Sequence, residues 1–280
     1  MRPKQWTKNL FVFAGLLFTI DQGHSLTDIL AVIAAFALFC VISGAIYIFN
    51  DLADIRQDRM HPVKSRRPIA SGILPYANAF YASILLLVLG VTFAFVLSTD
   101  LGFILLIYAI LMIAYSIHLK NIVILDVLII AAGFVMRAMG GAEVIRVAIS
   151  PWLLVCTTLL ALFLGFAKRR EELAGLGSDA SNHRPCLEHY NEACLDQFLS
   201  ITAGLTIMSY ALYTFLSDTG MRHPGMYFTL VFVIYGVFRY LLLAGTNSGA
   251  SAPEVLLVKD RPLLINFILW MLTCAVIILR

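Results

Sequence analysis

Apolar residues run along this chain in nine blocks, roughly 8–20, 28–49, 76–97, 101–117, 122–141, 150–167, 196–217, 225–244 and 262–279. Most reach or approach the about 20 residues that a helix needs to cross the hydrocarbon core of a bilayer. The pattern predicts an all-α polytopic membrane protein with nine transmembrane helices. The first block is short unless Trp6 and Lys8 sit in the interface, a position that suits an aromatic ring and a snorkelling lysine. Long polar segments lie between the blocks near 50–75, 168–195 and 245–261, with a short one at 118–122. Loops on a rigid scaffold usually carry function. No linker-like stretch interrupts the pattern, so residues 1–280 read as a single transmembrane domain.

An odd number of spans puts the two ends of the chain on opposite sides. With the N-terminal end inside, the inside segments hold Arg2, Lys4, Lys8, Arg56, Arg59, Lys64, Arg66, Arg67, Lys120, Lys168, Arg169, Arg170, Arg184, Arg239, Lys259 and Arg261, which are 16 of the 20 basic residues. The outside segments keep Arg146, Arg222 and Arg280, and Arg137 falls within a span. This asymmetry follows the positive-inside rule and predicts an inner-membrane protein with its N-terminus and long loops cytoplasmic. Composition agrees: 60% of residues are hydrophobic and 13% charged, against about 25% charged in soluble domains. Met1 to Trp6 resembles the start of a signal peptide, but no small-residue cleavage site follows, so the first block reads as a helix that stays. Five scattered cysteines give no disulfide framework.

The densest chemistry lies from Asn50 to Gly72. Asn50, Asp54 and Asp58 are spaced i, i+4, i+8, and Asp51 to Asp54 is i+3, so a helix continued past Phe49 gathers all four near one face. Three carboxylates and an amide so placed repel one another unless a cation lies among them. Oxygen-only donors suit a hard cation, and Mg²⁺ in such sites usually bridges to substrate phosphates. A solvated helix end is the plain alternative, although acids near a helix C-terminus oppose its macrodipole. Lys64, Arg66 and Arg67 follow, and cations of this kind bind phosphate oxygens, Arg in bidentate fashion. The same residues also serve the ordinary inside signal. Pro68 and Gly72 shape a turn into the third span.

A second group spans Tyr115, Ser116, His118, Lys120 and Asn121, with Asp126 beyond it inside the fifth block and Arg137 eleven residues deeper. Ionisable groups within a membrane mark functional cavities by default. Asp126 and Arg137 are too far apart for an i+4 pair, so each is expected to find a partner elsewhere. Asp126 either completes a metal site with Asp51, Asp54 and Asp58 or forms a structural polar pair. Lys168, Arg169 and Arg170 close the sixth block, as an inside stop signal or as part of an anion site. His183, Cys186, His189 and Cys194 fit no standard zinc spacing. Asp260 and Arg261 read as a cap and anchor for the last helix.

The Asn50-Asp51-x-x-Asp54-x-x-x-Asp58 stretch resembles the signature of the UbiA superfamily of intramembrane transferases. A finer similarity is to its decaprenyl-phosphate phosphoribosyltransferase branch. That similarity is carried by Arg2-Pro3-Lys4-Gln5-Trp6-Thr7-Lys8-Asn9, by Asp58-Arg59 with His61-Pro62, Lys64 and Arg66-Arg67-Pro68-Ile69-Ala70 to Gly72, by Tyr115-Ser116 with Leu119-Lys120, and by Ala132-Gly133-Phe134 to Arg137-Ala138 and Gly140-Gly141. Other members usually carry a second Asp-x-x-x-Asp on the fifth helix. Here Asp126 is followed by Ile130, which favours the phosphoribosyl branch.

The resemblance implies a nine-helix bundle and Mg²⁺-dependent transfer of 5-phosphoribose from phosphoribosyl diphosphate to a polyprenyl phosphate, for cell-envelope glycan precursors. It implies Asn50, Asp51, Asp54 and Asp58 as metal ligands, with Asp51, Asp54 and Asp126 at the chemistry. Lys8, Lys64, Arg66, Arg67, Tyr115, Lys120, Arg137, Lys168 and Arg169 are the expected substrate-binding residues. The partners would be those two substrates and the membrane, with no nucleic acid; a homo-oligomer is compatible. An aromatic prenyltransferase of the same superfamily, a transporter with Asp126 and Arg137 on an ion path, and a lipid-binding scaffold are the competing readings.

Overall fold

The computed structural model of the chain describes residues 3–60, 64–148, 150–176, 185–246, 256 and 259–279. His61, Pro62, His183, Arg184 and most of the 245–258 loop lie outside these residues. The described chain is helical because a backbone N–H or C=O left unpaired in hydrocarbon is costly, and a helix satisfies every one within its own segment. A 3-10 stretch, Pro3–Phe13, leads into α1, Ala14–Phe18. Long helices follow as α2 (Leu26–Ala53), α4 (Tyr76–Leu97), α5 (Thr99–Ile117), α6 (Leu125–Val144) and α7 (Pro151–Leu176). After them come α8 (Glu192–Leu216), α10 (Leu230–Thr246) and α11 (Arg261–Ile278), with short α3 (Ile55–Met60) and α9 (Asp218–Arg222) between.

Among the described residues, 8 helices are long and apolar enough to cross a membrane, and these match the second to ninth apolar blocks. The first expected block, 8–20, falls on the 3-10 stretch Pro3–Phe13, α1 and the start of the short 3-10 turn Ile20–Gln22, and is not among these eight. Local chemistry sets the boundaries. Ser25 and Asp28 form a reciprocal capping box at α2, with Asp28 N donating to Ser25 Oγ at 3.2 Å and Ser25 N to Asp28 Oδ2 at 2.9 Å. Ser98, Asn191 and Ser217 cap α5, α8 and α9 in the simpler way.

The chain forms two compact units. Unit 1 holds Met1–Gly15, Ser25–Ile129 and Met136–Val147. In it α2 packs on α4, α5 and the 3-10 stretch, around a core that includes Val12, Phe39, Ile42, Leu101 and Leu105. The approach of the 3-10 stretch to α6 is backbone-close. A Cβ on Gly141 would lie 1.8 Å from the Val12 carbonyl oxygen, so only glycine fits. Unit 2 holds Leu16–His24, Ile130–Val135 and Ala148–Arg280. There α7 packs along α8, and α10 on α11. Tyr210, Tyr213, Met226, Cys274 and Ile278 form a core flanked by Phe18, Trp152 and Trp270. Trp270 Nε1 donates to Tyr210 Oη at 2.8 Å, and that hydroxyl also bonds Thr229 Oγ1 at 2.7 Å.

The start of α11 is pinned by Asp260. Its Oδ1 accepts from Leu263 N at 2.9 Å, and Arg239 of α10 binds both its oxygens, Nε to Oδ1 at 3.2 Å and Nη2 to Oδ2 at 2.8 Å. The Arg239 guanidinium, aided by the cap bond, holds the Asp260 carboxyl below its ordinary value.

Two outcomes follow for stability in detergent. Gly141→Ala should destabilise by about 1–3 kcal/mol through overpacking, while Gly204→Ala, with nothing within 4 Å of its Cβ position, should be neutral or slightly stabilising; thermal melts compare them. Because the folded-state pKa of Asp260 is depressed, its contribution is present above the unfolded carboxylate value and is lost as pH falls through the folded one. Asp260→Asn should therefore melt below wild type at neutral pH, with the gap closing only below about pH 4. A gap of constant size down to pH 2 would contradict this.

Candidate active site

The sequence places the second helix and its carboxylates in one continuous run, and the backbone nearly keeps it so. α2 ends at Ala53, Asp54 is a hinge residue at φ −95°, ψ 10°, and α3 resumes at Ile55. Asp54 N still donates to Asn50 O at 3.0 Å and Asp58 N to Asp54 O at 2.8 Å, so the one-face spacing survives the hinge. Asn50 Nδ2 donates to Asp54 Oδ2 at 3.0 Å, tying the first and third members together. Asp58 is buried, 3% exposed, while Asn50, Asp51 and Asp54 are half-buried.

The loop that follows is a built structure. Lys64–Arg66 form a 3-10 turn, Arg67 N donates to Lys64 O, and Leu74 N closes back on Pro68 O at 2.9 Å. Gly72 takes φ 82°, which a side chain would resist. Arg59 Nε donates to Ala70 O at 3.1 Å, and Ile69 is buried with Leu52 and Ala79 beside Ile48, Ile55 and Phe80. This apolar patch holds the loop against α2, α3 and α4. Arg67 is thereby aimed at the carboxylates. Its Nη1 donates to Asp51 Oδ1 at 3.1 Å and to Asp58 Oδ2 at 2.6 Å. Arg66 is exposed and Lys64 half-buried.

A second cation reaches the same cluster from 66 residues away: Lys120, on the 3-10 turn Leu119–Asn121, places Nζ 2.5 Å from Asp54 Oδ1. The turn then reverses sharply. Ile124 has φ 68°, ψ −45°, and Leu125 N donates to Val123 O at 2.7 Å across it, which is a γ-turn of the rare, strained hand. It delivers Asp126, fully buried, into the first turn of α6, where a carboxylate is favoured by the helix dipole. Tyr115 lies half-buried near the end of α5. So the two constellations that the sequence shows separately meet through the Lys120–Asp54 pair.

The remaining expected site residues, Arg137, Arg169, Lys168 and Lys8, lie on other helical segments. Arg137 is buried in unit 1, where Nε donates to Asn9 Oδ1 at 2.7 Å and Nη2 to Tyr108 Oη at 2.7 Å, with the guanidinium carbon 4.9 Å from the Tyr108 ring centroid. Asn9 Nδ2 in turn donates to Cys40 Sγ and Ser43 Oγ. Arg169 in unit 2 is 1% exposed and bonds Glu172 on its own helix, while Lys168 is half-buried. Lys8 is half-buried on the 3-10 stretch, next to Asn9. Asn9 and Tyr108 were not singled out by the sequence pattern as partners of Arg137. Asn9 sits in a motif that carries the family resemblance, whereas Tyr108 leaves no signal within an apolar helix.

The donor set at residues 50, 51, 54 and 58 is all oxygen and suits a hard cation. Two cationic side chains already sit on its carboxylates, so the cluster demands positive charge. Among the described residues, no three His, Cys, Asp or Glu side chains converge into a ready metal cage.

The UbiA prenyltransferase family pattern matches residues 9–278. The chain belongs to that family. Similar over nearly the whole chain are the decaprenyl-phosphate phosphoribosyltransferase of Mycolicibacterium smegmatis, 30% identical over 96% of this chain and 88% of that protein, and that of Corynebacterium glutamicum, 30% identical over 96% and 82%. The fold is shared with a solved UbiA homolog from Archaeoglobus fulgidus bound to GPP and Mg²⁺, at TM-score 0.75 and 16% identity over 99% of this chain and 97% of that one. This UbiA-family chain is accordingly a multi-pass membrane transferase.

The strain at Ile124 is testable. A left-handed φ on a β-branched residue stores about 1–3 kcal/mol, which Ile124→Gly should release. Offset by glycine's greater unfolded-state freedom of roughly 0.4–1 kcal/mol, its melting point should stay near or above wild type. Ile124→Pro, locked near φ −65°, should melt well below both. A Gly variant as unstable as the Pro variant would remove the strain assignment.

Proposed function

We propose that this chain transfers the 5-phosphoribosyl group of phosphoribosyl diphosphate to a polyprenyl phosphate in a Mg²⁺-dependent reaction at the cytoplasmic face of the inner membrane. The observation that carries this reading is the interleaving of carboxylates and phosphate-binding cations in one cluster, Asp51, Asp54 and Asp58 with Arg67 and Lys120. The whole-length likeness to proteins named decaprenyl-phosphate phosphoribosyltransferase supports the donor and acceptor. The family match running through both compact units supports one functional domain, and the inside excess of basic residues supports the orientation.

In this mechanism a phosphate oxygen of the lipid attacks C1 of the ribose. The C1–O bond to diphosphate breaks, and diphosphate leaves with the bonding pair. The nucleophile is already ionised near neutral pH, so no general base is needed. Asn50, Asp51, Asp54 and Asp58 would hold Mg²⁺, which would supply charge stabilisation on the leaving diphosphate. Arg67 and Lys120 lie against those carboxylates and so are placed to bind the diphosphate itself. Lys64 and Arg66 share Arg67's loop and suit the 5-phosphate. Asp126, buried in the first turn of α6, would orient the ribose hydroxyls. Tyr115, Lys8 and Lys168 are further candidates for the anionic groups. Arg137 acts from its buried network, by positioning the helices of unit 1 that carry the site. The product would feed the assembly of cell-envelope glycans.

The test uses membranes containing the chain, labelled phosphoribosyl diphosphate, polyprenyl phosphate and Mg²⁺. Label should pass into the lipid phase, and Asp51→Ala and Asp54→Ala should each lower the rate by about 10²–10³-fold, as for loss of one transition-state-stabilising group. Turnover of a prenyl diphosphate with an aromatic acceptor, and none of the sugar donor, would replace this reading with the prenyltransferase one. Solute flux in proteoliposomes without covalent product would replace it with a transporter.

A further inference from the structure

The groups proposed to hold metal and the groups proposed to hold diphosphate are bonded to each other. One nitrogen of Arg67, Nη1, contacts an oxygen of both Asp51 and Asp58, and Lys120 Nζ contacts Asp54. Each of the three carboxylates thus has an oxygen engaged by a cation of the chain itself. A divalent ion approaching those oxygens meets the positive charge of these side chains until they move aside.

The cluster's surroundings say which parts can move. The loop carrying Arg67 is fixed by the Arg59–Ala70 bond and by buried Ile69, so its Cα stays while the long side chain can swing. The Arg67 side chain is 25% exposed, against 13% for Asp51 and 4% for Asp58, and in the second pair Lys120 is 16% and Asp54 21% exposed. Arg67 is therefore the solvent-reaching partner of its carboxylates, and the Lys120–Asp54 pair is open to solvent on both sides. A guanidinium fits phosphate oxygens in the same bidentate geometry as carboxylate oxygens. An arriving diphosphate offers these cations an alternative anion of higher charge.

We propose that Arg67 and Lys120 are built-in counter-ions that keep the carboxylates closed to metal until a diphosphate draws them away. Binding of the anion and of the divalent ion would then be coupled through an exchange of partners. By linkage the coupling is reciprocal, and such couplings typically run about 5–150-fold. The inference rests on the metal and diphosphate reading given above and adds a switch to it. Its consequence is that the site resists divalent ions while no sugar diphosphate is present.

The experiment measures Mn²⁺ binding by electron paramagnetic resonance on the full chain in nanodiscs, with Mn²⁺ alone as the probe. Arg67→Gln and Lys120→Gln should bind Mn²⁺ about tenfold more tightly than wild type, while the charge-keeping Arg67→Lys and Lys120→Arg should stay near wild type. The reciprocal arm needs no change to either cation. In EDTA, the double variant Asp51→Asn/Asp58→Asn, which removes both negative charges facing Arg67, should bind labelled inorganic diphosphate about tenfold more tightly than wild type. Gln variants that bind Mn²⁺ no more tightly than a wild type that binds it well would overturn the counter-ion role and leave the function standing. So would a double Asn variant with unchanged diphosphate affinity. No Mn²⁺ binding by any of these proteins, with or without diphosphate, would sink the metal reading and the switch together.

Discussion

Charge at the edge of hydrocarbon must be balanced locally, and that requirement organises unit 1. Three carboxylates and an amide lie within nine residues at the end of an apolar helix. Two like charges about 4 Å apart repel by roughly 4 kcal/mol at an effective dielectric near 20. Within α2 the Asn50 amide donates to Asp54, while the arginines of α3 face solvent. Opposite charge comes from distant segments: the 64–74 loop folds back to bring Arg67, and the turn after α5 brings Lys120. The buried Ile69 and the Arg59–Ala70 bond follow from the same need, since they hold the loop where its cation is useful.

Arg137 shows the other way of handling a buried charge. Its guanidinium bonds an amide and a phenol and lies near the face of the Tyr108 ring. These dipoles and the ring face contribute to stabilising the buried cation. They also join the 3-10 stretch, α2, α5 and α6 in one network, through Asn9, Ser43, Tyr108 and Arg137. The backbone contact of Val12 with Gly141 lies in the same place.

The helices were legible in the sequence because length and apolarity decide them. Eight of the expected blocks coincide with long helices among the described residues. The first was legible as an element but not in kind, since nothing in Trp6 to Phe13 announces 3-10 winding. The Asn50–Asp58 spacing gave the shared face correctly, while the hinge at Asp54 left no local mark. Arg67 and Lys120 could be read as phosphate binders from their type. Their pairing with the carboxylates is a tertiary fact with no sequence period. Arg169 reads in the sequence as an inside stop signal or part of an anion site; its burial and its bond to half-buried Glu172 are decided only by packing. Ile124 breaks the local rule that positive φ belongs to Gly or Asn. Such conflicts between local preference and fold concentrate at functional or strained places, and this one lies between Lys120 and Asp126.

The two ends of the Asn9 amide imply an order of assembly. Its Nδ2 bonds residues 31 and 34 positions on, whereas its Oδ1 waits for a donor 128 positions on. At a synthesis rate of about 5–20 residues per second, the interval between the two lasts roughly 5–19 s. During it the 3-10 stretch can lean on α2 through Cys40 and Ser43, with the carbonyl still open. Arrival of α6 then fills the carbonyl through Arg137 and seats Gly141 against Val12 without breaking the earlier bonds. A segment synthesised before α2 would thus reach its final place only when α6 has been inserted.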